Sequence, residues 1–149
     1  MTQESTACSG QAQRDVRSLL LLDAGIEAMS AAALTAAALT APHSGAWQMP
    51  GSITSTGIGI AATGFAGAAI ALVTSANRIG HVEIGRISTP LAMLGLGNVA
   101  AAVGLGAWGA IDRDLGRGIR TILVASGISV ATMGAAQAWR ARKIHCASQ

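Results

Sequence analysis

Four runs of mostly apolar residues, at 18–41, 53–76, 90–111 and 119–139, constrain this 149-residue chain more than any other feature. A bilayer core about 30 Å thick is crossed by roughly 20 apolar residues in a helix. Each run meets that length, and short polar segments join one to the next. Only 11% of the residues are charged, 51% are hydrophobic, and the mean hydropathy is +0.49. Soluble domains carry about 25% charged residues, and a short soluble chain has too little interior to hide this much apolar surface. The apolar mass is Ala, Leu, Ile, Val and Gly, which suits close helix packing in lipid. The expected fold is therefore all-α: an integral membrane four-helix bundle. A tail over 1–17, a single transmembrane domain over 18–139 and a basic tail over 140–149 complete the expected layout.

The connections support that division. Pro42, Gly45, Pro50 and Gly51 punctuate the first, and Pro90 suits the first turn of the third helix. Trp47, Trp108 and Trp139 fall at the expected interfaces, where amphipathic rings settle. Orientation follows from the basic residues. Arg14, Arg17, Arg78, Arg86, Arg140, Arg142 and Lys143 lie on the side of the two termini; Arg113, Arg117 and Arg120 lie on the other. Seven against three places both termini in the cytoplasm. Cys8 and Cys146 are then expected to be reduced thiols. The competing reading of the first run is a cleaved signal peptide with Arg14 and Arg17 as its basic start. Asp23 and Glu27 interrupt its apolar region, the run is too long, and Pro42 would follow the cut.

The net charge of +3 and pI of 9.7 do not indicate nucleic acid. The basic residues are placed as orientation signals, and no aromatic is interleaved with them to stack bases. Three segments match the spacing of a dinucleotide-binding loop, starting at Gly57, Gly95 and Gly104. That loop works only between a strand and a helix, whereas these glycines lie inside apolar helices and suit helix contact. His43, His81 and His145 are scattered, and His145 beside Cys146 falls short of a four-ligand zinc site. No cofactor, metal or catalytic constellation is expected.

Asp23 and Glu27 are the informative residues. Four apart, they share a helix face, continued by Ser30. Counted from Ser18, they lie about 7 Å and 13 Å into the first run, and Asn98 lies about 12 Å in from Pro90. Intramembrane carboxylates usually face a bundle interior or a partner. The expected polar cluster is Asp23, Glu27, Ser30, Asn98, Thr132 and Gln137. A plainer alternative has Asp23 reaching the headgroups beside Arg17 and the rest making interhelical hydrogen bonds. Helix packing is expected through Gly67, Gly95, Ala102, Gly106 and Gly109. The expected small or polar faces are Thr56, Thr63, Gly67, Ala71 and Thr74 on the second helix, and Thr121, Ala125, Ser129, Thr132 and Ala136 on the fourth.

With Leu22-Asp23-Ala24, Asn98 and Ala136-Gln137-Ala138, the layout resembles small four-helix inner-membrane proteins of GC-rich bacteria, a likeness that implies no activity. In size, four spans and a carboxylate in the first helix, the chain is also similar to the small multidrug resistance transporters. It departs from them in having no Tyr and one Phe, Phe65, so an aromatic cage for an organic cation is missing. Two functions are expected to compete. One is a non-enzymatic membrane protein acting by association, as a homo-oligomer or a subunit among other membrane proteins. The other is a small proton- or cation-coupled transporter or ion-permeation protein using Glu27.

Overall fold

The computed structural model describes residues 3–40, 50, 53 and 55–147. Four long helices dominate: α1 (Gln3–Thr40), α2 (Ser55–Arg78), α3 (Ser88–Ile111) and α4 (Arg117–Ala147). Two short 3₁₀ turns, Ile79–His81 and Ile84–Ile87, connect α2 to α3. No strand occurs among the described residues. All four helices are long and apolar enough to cross a membrane.

The three dinucleotide-like glycine segments lie wholly within α2 and α3, as helix. Two boundaries differ from the expected ones by more than two residues. α1 starts at Gln3 instead of Ser18, and α4 continues to Ala147 instead of ending at Trp139. The expected tails are thus helical over their described residues. At 38 and 31 residues, α1 and α4 measure about 57 Å and 46 Å, beyond what a bilayer core needs. Neither flank contains a Pro, and the one Gly among them, Gly10, is followed by further helix, so the backbone hydrogen bonding continues through both. The expected end of the first helix at Ala41, the loop residues Pro42, Gly45 and Gly51, and His43 and Trp47 lie outside the described residues.

The helices form two antiparallel hairpins. α1 packs along α2 and α3 along α4, while contact between the hairpins runs chiefly from α1 to α4 and through the 3₁₀ turns. The apolar core sits at one end. There the stripe Val16, Leu20 and Ala24 of α1 meets Leu72 and Ala76 of α2, Leu91 of α3, and Ala141 and Ile144 of α4. At the same end an ion pair joins Asp15 of α1 to Arg140 of α4. The Gln13 amide donates to the carbonyls of Ile79 and Val82, at 3.4 and 3.2 Å, and so pins the α2–α3 connection. At the opposite end Leu39 and Ile111 are exposed.

Within the second hairpin, glycines set how closely the helices approach. A Cβ placed on Gly95 would lie 2.7 Å from the Gly134 carbonyl oxygen, and one on Gly134 would lie 2.6 Å from that of Gly95. Further along, a Cβ on Gly127 would meet the Ala102 carbonyl at 3.1 Å and the Gly106 nitrogen at 3.5 Å, and one on Gly109 would meet Leu123 Cβ at 3.1 Å. Gly95, Ala102 and Gly109 therefore occupy the α3–α4 contact. Gly106 borders it with its own Cβ direction open, and Gly67 on α2 points into open space. Gly127 and Gly134 complete the contact from α4.

Candidate functional site

Asp23 belongs to the same inward face of α1 as Leu20 and Ala24, so the packing of those two carries its side chain into the bundle. It is 2% exposed. Asn98 of α3 and Gln137 of α4 are brought to it by the glycine crossing. Each amide lies three residues after a contact glycine, Gly95 or Gly134, and so on the same helix face. A Cβ on Gly134 would lie 3.1 Å from Asn98 Cβ, and one on Gly95 3.2 Å from Gln137 Cβ.

The three side chains form a closed hydrogen-bond network. Asn98 Nδ2 donates to both Asp23 carboxylate oxygens, at 3.3 and 3.1 Å, and to Gln137 Oε1 at 3.0 Å. Gln137 Nε2 donates to Asp23 Oδ2 at 2.7 Å. Asn98 is 8% exposed and Gln137 is fully buried. One carboxylate of the first hairpin is thereby held by two neutral amides of the second. A buried carboxylate without donors would be costly, and these donors meet that need.

The rest of the expected cluster lies elsewhere. Glu27, one turn beyond Asp23, is half-buried; its Oε2 is shielded from solvent and has no hydrogen-bond partner. Asn98 therefore pairs with Asp23 and not with Glu27, although depth counting placed it beside Glu27. That count started α1 at Ser18, whereas the relative level of the helices is set by Leu20 packing near Leu91 and Ile144. Asp23 also does not reach outward beside Arg17, which is exposed. Ser30 donates to its own helix, at Ile26 O, 2.9 Å. Thr132 does the same at Ile128 O, 2.9 Å, and is exposed.

Self-satisfaction of hydroxyls explains a wider difference. Thr63 and Thr74 on α2, and Thr121 and Ser129 on α4, each donate to the carbonyl four residues back. They need no partner helix, and they sit on exposed faces. The faces that pack are Ile58, Ala62, Ala69, Leu72 and Ala76 on α2, and Gly127, Gly134, Gln137, Ala141 and Ile144 on α4. No Ser, Cys or His joins the Asp23 network among the described residues, and no group of three or more His, Cys, Asp or Glu is arranged there to hold a metal ion. The chain matches no protein-family model, no curated protein and no solved structure.

Proposed function

We propose that this chain is a four-span protein of the plasma (inner) membrane, with both termini in the cytoplasm. It acts by association, as a homo-oligomer or an accessory subunit of a membrane complex, and not by catalysis. The supporting observation is how little the helices bury against one another. In the most apolar 18-residue stretch of each helix, at most 22% of the residues are buried within the chain. Small residues that permit backbone contact are left facing outward: a Cβ on Gly64, Gly67, Gly97 or Gly104 would meet nothing within 4 Å. In lipid, such surfaces favour helix–helix association through close packing.

Two measurements test this reading. Reporter fusions at Ser44 and Asp114 should report a periplasmic position, and fusions at Gly80 and Ser148 a cytoplasmic one. The reverse pattern would invert the orientation. After extraction in a mild detergent, the protein should run as an oligomer or with membrane partners; a lone monomer under gentle extraction would remove association.

The shielded, unpartnered Oε2 of Glu27 favours one second reading, a small proton- or cation-coupled transporter. Glu27→Gln separates the two readings. Under association, stability should change by less than about 0.5 kcal/mol and oligomer size should stay the same. Loss of a pH-dependent flux in liposomes, with the fold retained, would establish transport instead.

A further inference from the structure

The groove between the start of α3 and the end of α4 is polar at one end and apolar at the other. It encloses about 500 Å³ and is lined, among others, by Thr89, Met93 and Leu96 of α3 and by Ala138, Arg142 and His145 of α4. The helices are antiparallel, so both walls change character in the same order. Thr89, Arg142 and His145 form the outer end; Met93, Leu96 and Ala138 form the inner end. From Thr89 to Leu96 the groove runs about 10 Å along the helix, long enough for a headgroup and the first carbons of an acyl chain. Met93 and Leu96 are each 65% exposed, so the inner wall offers its apolar atoms to an occupant. Arg142 has no hydrogen bond or ion pair among the described residues, and no acidic residue lines the groove. Beside it, Lys143 lies 3.9 Å over the Trp139 ring, an arrangement suited to a membrane–water boundary.

We propose that this groove binds one anionic phospholipid, with its phosphate at Arg142 and one acyl chain along Met93, Leu96 and Ala138. A basic side chain at the rim meets the headgroup charge, and the apolar wall supplies a surface that free phosphate could not use. The proposal rests on the reading that the chain is inserted in a membrane.

Native mass spectrometry of the full chain in mild detergent tests it, with phosphatidylglycerol and phosphatidylcholine of matched acyl chains as probes. The wild type should retain phosphatidylglycerol in preference, by about fivefold, the weight of one basic residue at an anionic surface. Arg142→Gln should lose that preference. Met93→Trp fills the groove at an exposed position, keeps the arginine, and should lose it too. Arg113→Gln, at the other end of the hairpin, should keep it. Equal retention of both lipids by the wild type, an unchanged preference in Met93→Trp, or displacement of the lipid by millimolar inorganic phosphate would each overturn the site. Carbonate extraction of native membranes is read alongside: release of the chain would sink the membrane reading itself, whereas an integral chain without lipid preference sinks only the groove.

Discussion

Gly95→Ala is expected to destabilise the α3–α4 hairpin by about 1–3 kcal/mol, the usual cost of forcing atoms into a packed contact, while Gly97→Ala should leave stability unchanged or slightly higher. The two sites are two residues apart on one helix but face different surroundings. A Cβ at 95 would lie 2.7 Å from the Gly134 carbonyl oxygen and 3.0 Å from the Ala138 nitrogen. Both are backbone atoms, so the new methyl group cannot be accommodated by a rotamer change, and the helices must separate. A Cβ at 97 meets nothing within 4 Å, and alanine is the better helix former. The separation would also stretch the 3.0 Å bond from Asn98 to Gln137, so packing and polar network should fail together. Thermal unfolding in a mild detergent, followed by circular dichroism, measures the difference. Equal midpoints for Gly95→Ala and Gly97→Ala would show that the close approach carries no weight.

Gln137→Leu should have a comparable effect by a different route. It removes the 2.7 Å donor from Asp23 Oδ2 and the 3.0 Å acceptor from Asn98 Nδ2. Leucine is close in size, so little cavity is created, and the loss isolates the polar term. An interhelical hydrogen bond in a membrane averages about 0.6 kcal/mol. Here, however, a buried carboxylate loses a donor, and an unsatisfied buried group costs about 1–3 kcal/mol, more when charged. We therefore expect a loss near the upper part of that range. Replacing all three partners (Asp23→Leu, Asn98→Leu and Gln137→Leu) should recover most of it, because no polar group is then left unpaired. Stability of the triple variant no better than that of Gln137→Leu would contradict a network held together by mutual satisfaction. A double-mutant cycle between Asp23→Asn and Gln137→Leu should give a coupling of at least about 0.5 kcal/mol, as expected for contacting residues.

Run length and composition alone specify the number and type of the elements and their approximate span. Apolar run length and the near absence of charge are one-dimensional properties, and they suffice to require four long helices. The same holds for the α3 face: Gly95, Asn98, Ala102 and Gly109 recur at helical spacing and are all buried. Asp23 as an informative residue was likewise legible, because an ionisable group within an apolar run needs a partner.

Which partner that is depends on how the helices pack in three dimensions. Asp23 is bonded to residues 75 and 114 positions away, and no local period specifies how far one helix slides along another. That level is set by side chains such as Leu20, Leu91 and Ile144 meeting in one core. The faces of α2 and α4 were misleading for a related reason. Thr63, Thr74, Ser129 and Thr132 look like a polar seam in sequence, yet each donates to its own backbone and can face outward without an unmet hydrogen bond. Glycine spacing is equally ambiguous. Gly67 and Gly134 are indistinguishable as letters in a chain, but one faces open space while the other nearly touches a neighbouring carbonyl. Periodicity marks which residues share a face; the rotation and approach of the helices, fixed by contacts far apart in the chain, decide which faces are buried.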